Sequence, residues 1–394
     1  MSSLRRNLLK LLVLCRLLDI FSPALCKTKN VIPYTDLRSF GEKVRNLSFH
    51  LFNYTEQRND CGLLAPYTLW NLVSLVAFMT SEDSWDQLHK TMGVSRRKGK
   101  YFNSIYNHIN DLMITIKPGA SFKINNTVFY DSRLQLTSNF EDSIMASGVS
   151  LKKLNFHDSV LASDSANNYI QSNYFLMPKR IIFHSSDFKD TSMIVSGVVE
   201  FEAAWAKPFD ISLSDRFVMR QSGEFFYTDV DWLRASVLEL SYASDFDFSM
   251  LVIRPRYGVA LKDVITNLAL KKLDDIFQKL YTAGSKETVI ELPKFSLTSL
   301  QVLNEPFMSM GIINVFLPDE ADFSGISSDN LYIQSFEQRV TVTVSETGTT
   351  ATAYTPANVA KSTSPNEIGS ASPFIFLIVH GPSLSIVFCG KYGE

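Results

Sequence analysis

Apolar residues recur three or four positions apart in several stretches of the chain, a spacing that places them on one face of an α-helix. The stretches predicted as helices are 40–54, 69–79, 101–116 and 261–281. Short apolar runs between polar residues predict β-strands instead. These runs are 127–130, 249–253, 288–292, 340–344 and 374–379. The last run is continuously apolar, so we expect that strand to be buried on both faces.

The order of these elements indicates the fold class. Predicted helices lie mainly in the first half of the chain and predicted strands mainly in the second, which is typical of an α+β fold. The sequence has no internal repeat, no linker rich in Gly, Pro and Ser, and no long block of like charge. With 394 residues, of which 45% are hydrophobic, the chain can bury a large core. The net charge of −2 gives no reason to expect a nucleic-acid partner.

Residues 347–372 interrupt the pattern. They are mostly Thr, Ala, Ser, Pro and Asn, with almost no large apolar residue, and they lie between two predicted strands. A loop of this length inside a compact domain is usually functional or disordered. Composition therefore indicates this segment as the functional part of the chain.

The N-terminus predicts export. Arg5 and Arg6 precede a leucine-rich run at 8–21, and small residues follow it. That order is typical of a secretory signal peptide, so we predict that residues 1–26 are removed and that 27–394 form a single extracellular domain. Polar residues inside the run leave an N-terminal amphipathic helix as the alternative. The run is too short and too charged to span a bilayer, and no membrane association is expected.

Two further features fit an exported chain. Asn46, Asn53 and Asn125 each begin an N-x-S/T triplet, the acceptor for N-glycosylation, so we expect a glycoprotein. Removal of the signal peptide leaves two cysteines, Cys61 and Cys389, which are too few for a disulfide scaffold. They could form one bridge or remain as two buried thiols.

Common catalytic motifs are absent from the sequence. None of the six histidines has a partner at the spacing of an H-E-x-x-H metal site, and no G-x-S-x-G elbow occurs. Residues 93–100 resemble a phosphate-binding loop, but the spacing is one residue too long and Tyr101 replaces the required hydroxyl. We therefore expect no enzyme activity, no metal and no cofactor. The basic residues at 96–100 predict an exposed turn, with a sulfated polysaccharide as the alternative partner.

The C-terminal third resembles the serpin family. The similar blocks are ELPKFSL at 291–297, MGIINVFLPDEADFSGIS at 310–327, LYIQSFEQRVTVTVSETGTTATA at 331–353, PFIFLIV at 373–379 and FCGK at 388–391. Upstream, LLAPYTL at 63–69 and the F-x-x-x-W-x-x-PF pattern at 201–209 follow the family as well. The chain is identified as a divergent serpin. This resemblance implies three β-sheets, eight or nine helices and an exposed reactive-centre loop at 347–372.

The resemblance also implies a mechanism. A serine protease cleaves the loop, and the loop then inserts into the main sheet as an extra strand and distorts the protease. The hinge residues that it implies are Glu346, Gly348, Thr349, Ala351, Ala353 and Thr355. The last four are the inward-facing set of the inserted strand, and all are small, which favours an inhibitor. We expect this inhibitor to be a monomer. Pro356 would remove one ladder hydrogen bond from that strand, so a non-inhibitory binding or carrier protein is the alternative.

Three positions that control sheet opening depart from the family pattern. Ala65 replaces a usual serine, Gly197 a usual asparagine and Gln338 a frequent histidine. The family also makes the segment near Cys61 a neighbour of the strand that carries Cys389, so a disulfide between them is implied as one of the two alternatives.

Loop length predicts the scissile bond. Counting forward from Gly348 and back from Pro373 by the family's usual spacing reaches Ser362, so the predicted bond joins Ser362 to Thr363. Serine suits the shallow pocket of an elastase-like protease. The alternative is the bond between Lys361 and Ser362, which a trypsin-like protease would cleave.

Overall fold

A computed structural model of the chain describes residues 32–393, apart from several internal segments. The segments outside the description are 58–62, 81, 96–98, 115–119, 139, 142–143, 145–148, 174–182, 244–247, 335 and 352–371. The predicted signal peptide at 1–26 also lies outside the described residues. All elements named below belong to the unit Tyr34–Glu394.

Eight α-helices are present in the described part of the chain. They are α1 (Tyr34–Gln57), α2 (Pro66–Met79), α3 (Glu82–Thr91), α4 (Gly99–Ile114), α5 (Ser159–Asn173), α6 (Leu261–Leu270), α7 (Leu273–Ala283) and α8 (Asn304–Ser309). None of these helices is long and apolar enough to cross a membrane. Proline at the first position of α2 suits a helix start, because its missing N–H would have no intrahelical partner there.

The predicted helix at 261–281 is in fact two helices. Lys271 and Lys272 have extended backbone angles, which end α6 and begin α7. The carbonyl oxygen of Lys271 accepts a hydrogen bond of 2.7 Å from Nη1 of Arg45 on α1. Asp274 and Asp275 then stand in the first turn of α7, where carboxylates complement the helix dipole. No glycine or proline stands at this break. The sequence therefore carries no helix-breaking signal there, and the apolar periodicity predicted one continuous helix.

Within the described residues, twelve strands form two hydrogen-bonded ladders. They are β1 (Ala120–Asp131), β2 (Ser150–Leu154), β3 (Met193–Ala204), β4 (Val218–Val230), β5 (Ala235–Ser241), β6 (Phe248–Pro255), β7 (Ser285–Pro293), β8 (Phe295–Val302), β9 (Glu337–Ser345), β10 (Gly348–Ala351), β11 (Phe374–His380) and β12 (Ser385–Tyr392). The first ladder has the order β2-β1-β3-β10-β9-β8, and the second has the order β12-β11-β6-β5-β4-β7.

The second ladder consists of two parts that share the long strand β4. The first part of β4, as far as Phe226, pairs with β7, whereas Phe226–Val230 pair with β5. Counted with the first ladder, this division gives the three sheets that the serpin resemblance implies. The α+β class, the three sheets and the expected number of helices are therefore confirmed.

The apolar run predicted as a buried strand occupies the interior of the second ladder. Every residue of β11 is buried, and the strand pairs with β12 on one side and β6 on the other. Because both edges and both faces of β11 are covered, an unbroken apolar sequence is the one that fits.

Strand β9 is held to the start of α2 by one buried side chain. Gln338 accepts a hydrogen bond of 2.9 Å from the N–H of Ala65 and donates bonds of 3.0 Å to the carbonyl of Ala65 and 3.2 Å to the hydroxyl of Thr68. A Cβ atom on Gly197 of β3 would lie 2.8 Å from Cδ1 of Leu72. At the positions that depart from the family pattern, Gln338 thus binds the Ala65 backbone and the Thr68 hydroxyl, and Leu72 packs against Gly197.

A buried carboxyl group lies between the second ladder and α7. Glu239 on β5 accepts a hydrogen bond of 3.3 Å from the hydroxyl of Tyr281 on α7. Burial raises the pKa of Glu239 from 4.5 to about 7, and the hydrogen bonds from Ser249 and Tyr281 only partly oppose this rise. The folded protein therefore holds a proton that the unfolded chain releases, and stability falls as the pH rises from about 4.5 to about 7.

We predict that Glu239→Gln removes this pH dependence. We compare the free energy of unfolding of the variant with that of the wild type at each pH. Between pH 4 and a pH above 7, this difference should shift by roughly 2–4 kcal/mol in favour of the variant, because glutamine carries no charge to bury. Urea denaturation across this pH range measures the effect. Glu224→Gln, at an exposed position on β4, is the control and should leave the wild-type pH dependence unchanged. A parallel pH profile for Glu239→Gln and the wild type would contradict the prediction.

A second prediction concerns the Gln338 contact. Gln338→Ala should lower the free energy of unfolding by about 2–3 kcal/mol, because it leaves the buried N–H of Ala65 without its partner, whereas the Ala65 carbonyl keeps its hydrogen bonds from Leu69 and Thr68. Gln301 is the matched control. It lies directly opposite on β8, is also buried, and donates to the Ser299 side chain instead. Gln301→Ala should cost about 1 kcal/mol. If the two variants lose the same free energy of unfolding, the prediction that the backbone contact of Gln338 is the more stabilising one is wrong.

Candidate functional site

The start of the predicted loop is the fourth strand of the first ladder. A two-residue turn at Glu346 and Thr347 connects β9 to β10. Strand β10 then runs antiparallel to β9 on one side and to β3 on the other. Thr349 is opposite Ala203 on β3 and opposite Val344 on β9. The first residues of the loop thus already occupy a position between the two central strands.

Glycine at position 348 is required by close packing. A Cβ atom on Gly348 would lie 2.1 Å from the carbonyl oxygen of Ala203 and 2.8 Å from Cα of Ala204. Any side chain at this position would therefore push β10 away from β3. The family resemblance implied Gly348 as a hinge residue, and the close contact with the β3 backbone gives the physical reason for glycine at this position.

Thr349 is fully buried beneath the sheet. Its Oγ1 accepts a hydrogen bond of 2.8 Å from the hydroxyl of Tyr242. Burial raises the pKa of Tyr242, so its hydroxyl remains protonated and able to donate. Thr350, the next residue, is only half-buried, as expected when successive side chains alternate faces.

Trp205 holds the turn that precedes β10. Its indole Nε1 donates to the carbonyl of Ser345 at 2.9 Å, and its backbone N–H donates to the carbonyl of Thr347 at 3.0 Å. The indole also stacks on Tyr242, with ring centroids 4.6 Å apart and planes 11° apart. The turn, the tryptophan and Tyr242 therefore form one connected group.

Glu346 adds a charged contact at the same turn. Its carboxylate forms an ion pair with Lys294, and the N–H of Phe209 donates to its carbonyl at 3.0 Å. Burial raises the pKa of Glu346, but hydrogen bonds from Lys294 and from its own backbone, with the Lys294 charge, outweigh this effect, so the pKa lies below its ordinary value. The carboxylate is ionised at neutral pH and anchors the turn to the residue that separates β7 from β8.

Sequence reasoning did not identify Tyr242 or Lys294. Tyr242 is 107 positions from its partner Thr349 along the chain, and a tyrosine at the end of an apolar strand gives no local signal of such a contact. Only the pairing of β10 with β3 brings the two hydroxyls together.

Several predicted residues lie outside the described part of the chain. They are Cys61, Arg96, Arg97, Lys98, Ala353, Thr355, Lys361, Ser362 and Thr363. Cys389 is described: it is a buried free thiol on β12, and its backbone exchanges hydrogen bonds of 2.9 and 3.0 Å with Leu64. The described residues contain no group of three or more His, Cys, Asp or Glu side chains that could hold a metal ion.

The predicted glycosylation sites differ in accessibility. Asn46 is exposed on α1, whereas Asn53 on the same helix is half-buried. The hydroxyls of Ser48 and Thr55 in these two triplets are buried and donate to helix carbonyls. Asn125 lies in β1, opposite Val198 of β3. Glycosylation at the three positions stays a prediction.

Comparison of the amino-acid sequence with known proteins identifies a family. The family model described as Serpin (serine protease inhibitor) matches residues 42–394. A leukocyte elastase inhibitor from Xenopus laevis is 24% identical over 384 residues, which cover 91% of this chain and 100% of that protein.

Solved structures have the same fold. A structure titled Cleaved Serpin 42Da superposes with a TM-score of 0.76 at 18% identity, covering 91% of this chain and 98% of that chain. Human thyroxine-binding globulin complexed with thyroxine superposes with a TM-score of 0.73 at 19% identity, covering 90% and 98%. Since the family model spans most of the sequence, this chain belongs to the serpin family.

Proposed function

We propose that the chain is a secreted inhibitor that traps an extracellular serine protease by cleavage and insertion of its loop. The observation that carries this proposal is the position of β10: Gly348–Ala351 pair with β3, and the first three of these residues pair with β9 as well. The protease would cleave the loop beyond β10, and the rest of the loop would extend the same strand. The chain acts in this scheme as a substrate that is not released, and no catalytic group of its own is needed.

The register of β10 supports further insertion. Carried forward, the same pairing would bring Thr355 between Gly197 on β3 and Gln338 on β9. Small side chains on this face would meet the buried side of the sheet, as Thr349 already does. The proposal therefore requires no change in the register that the first four residues have.

The position of Pro356 favours a second candidate. In the same register Pro356 would stand opposite Ser196 of β3 and Glu337 of β9, inside a strand that is paired on both sides. Proline cannot donate the ladder hydrogen bond there. This feature favours a non-inhibitory binding or carrier protein. An SDS gel discriminates between the two candidates: an inhibitor gives a stable complex with its protease, whereas a non-inhibitor gives only the cleaved chain.

We predict that Thr349→Arg converts the inhibitor into a substrate. The variant would place a charge at a fully buried position, so the hinge could not keep its place between β3 and β9 and the rest of the loop could not extend the strand after cleavage. The measurement is the fraction of protease held in an SDS-stable complex, which should fall by at least tenfold while cleavage continues. Thr350→Arg is the matched control, because Thr350 is half-buried on the opposite face. Complex formation by Thr349→Arg at the wild-type level would refute the insertion mechanism.

The scissile bond is predicted between Ser362 and Thr363, with Lys361–Ser362 as the alternative. After reaction with the protease, mass spectrometry of the released C-terminal peptide identifies the cleaved bond. A peptide that begins at Thr363 supports the first assignment and an elastase-like target. One that begins at Ser362 supports the second and a trypsin-like target. A peptide with any other first residue would overturn both assignments.

A further inference from the structure

We propose that Tyr242 is a positioning residue for loop insertion, whose hydroxyl holds Thr349 in the fourth-strand position before the loop is cleaved. The proposal rests on the function proposed above, since insertion is the step that it serves. We call the hydrogen bond between the hydroxyl groups of Tyr242 and Thr349 the latch. With the latch closed, insertion continues a strand that is already started.

The aromatic neighbours of Tyr242 fix the direction of its hydroxyl. One face of the ring stacks on Trp205 at 4.6 Å. The ring also meets Phe201 of β3 edge to face, with centroids 5.2 Å apart. A backbone bridge joins Trp205 to Tyr242 directly. The ring therefore has little freedom to turn, and its hydroxyl meets Oγ1 of Thr349 at 2.8 Å.

Burial makes the contact selective for a hydroxyl at position 349. Tyr242 is 4% exposed and Thr349 is 0% exposed, so neither side chain has ready access to water. When the hinge leaves the sheet, Tyr242 loses this partner inside the protein, which disfavours the open state. Valine has nearly the shape of threonine but cannot accept the bond, whereas serine can.

Trp205 connects the latch to the turn before β10. It contacts Tyr242 through its ring and binds Ser345 and Thr347 through its two N–H groups. Displacement of Tyr242 would therefore disturb both ends of the short segment that leads from β9 into β10. The environment of the Trp205 indole should change when the latch opens, so the fluorescence of Trp205 can report this opening.

The test is a double-mutant cycle on the full chain, with variants Tyr242→Phe, Thr349→Val and both together. Tyr242→Phe keeps the ring stacking and removes only the hydroxyl. Native-state hydrogen exchange of the Gly348–Ala351 amides measures hinge opening without any protease. Each single variant should accelerate exchange about fivefold, and the double variant should be no faster than the single variants, because all three lack the same bond. Thr349→Ser should exchange at the wild-type rate.

Tyr67→Phe is the matched control. Tyr67 is also fully buried, and its hydroxyl donates to Asn110 at 2.9 Å, far from the hinge in the chain. It should change the overall stability but not the exchange of the hinge amides. The latch is refuted if Tyr242→Phe leaves hinge exchange unchanged, if it acts no more strongly than Tyr67→Phe, or if the two hinge variants multiply in the double variant.

A protease assay separates this proposal from the inhibitory function. If the chain forms SDS-stable complexes, Tyr242→Phe should lower the fraction of protease trapped and raise the fraction of chain that is cleaved without forming a complex. If these two fractions do not change, the role of Tyr242 in insertion is overturned. If no protease forms a complex with the wild type, the inhibitory function fails, and with it the role in insertion. The hydrogen-exchange cycle then still decides whether the Tyr242–Thr349 bond holds the hinge.

Discussion

Two-sided backbone pairing at the start of β10, where residues 348–350 have partners on both β3 and β9, is the constraint on which the described structure depends. A strand with partners on both sides satisfies its N–H and carbonyl groups, but it also forces β3 and β9 apart by the width of one strand. The two neighbours must then be held by other means. The contacts around the turn at Glu346 and Thr347 do this at one end of β10, and the Gln338 side chain holds β9 to α2 farther along the strand.

The type of each contact matches its exposure to water. At the turn, where Glu346 and Lys294 are partly exposed, an ion pair and backbone hydrogen bonds suffice. Under the sheet, where water is excluded, neutral amide and hydroxyl groups make the contacts instead. Gln338 accepts from the buried N–H of Ala65 and thereby ties β9 to the start of α2, and Tyr242 donates to the buried hydroxyl of Thr349 and thereby ties down β10.

Glycine contributes to the same region through its lack of a side chain. Gly348 allows the β10 backbone to approach Ala203, and Gly197 accommodates Leu72 beneath β3. Two of the residues that depart from the family pattern have described contacts: Gln338 binds the backbone of Ala65, and Gly197 leaves room for Leu72. The described contacts in this part of the sheet are therefore amide and hydroxyl hydrogen bonds and packing around glycine.

The sequence by itself determined the apolar strands, the α+β class and the serpin resemblance, and it predicted a functional segment at 347–372. Each of these depends on local periodicity or on a run of residues, which the chain carries regardless of its partners. The tertiary structure decided the break at Lys271 and Lys272, the division of β4, the packing reason for Gly348 and the contacts of Tyr242 and Lys294. These features arise between residues far apart in the chain, where a single side chain gives no local sign of the neighbour that folding will bring to it.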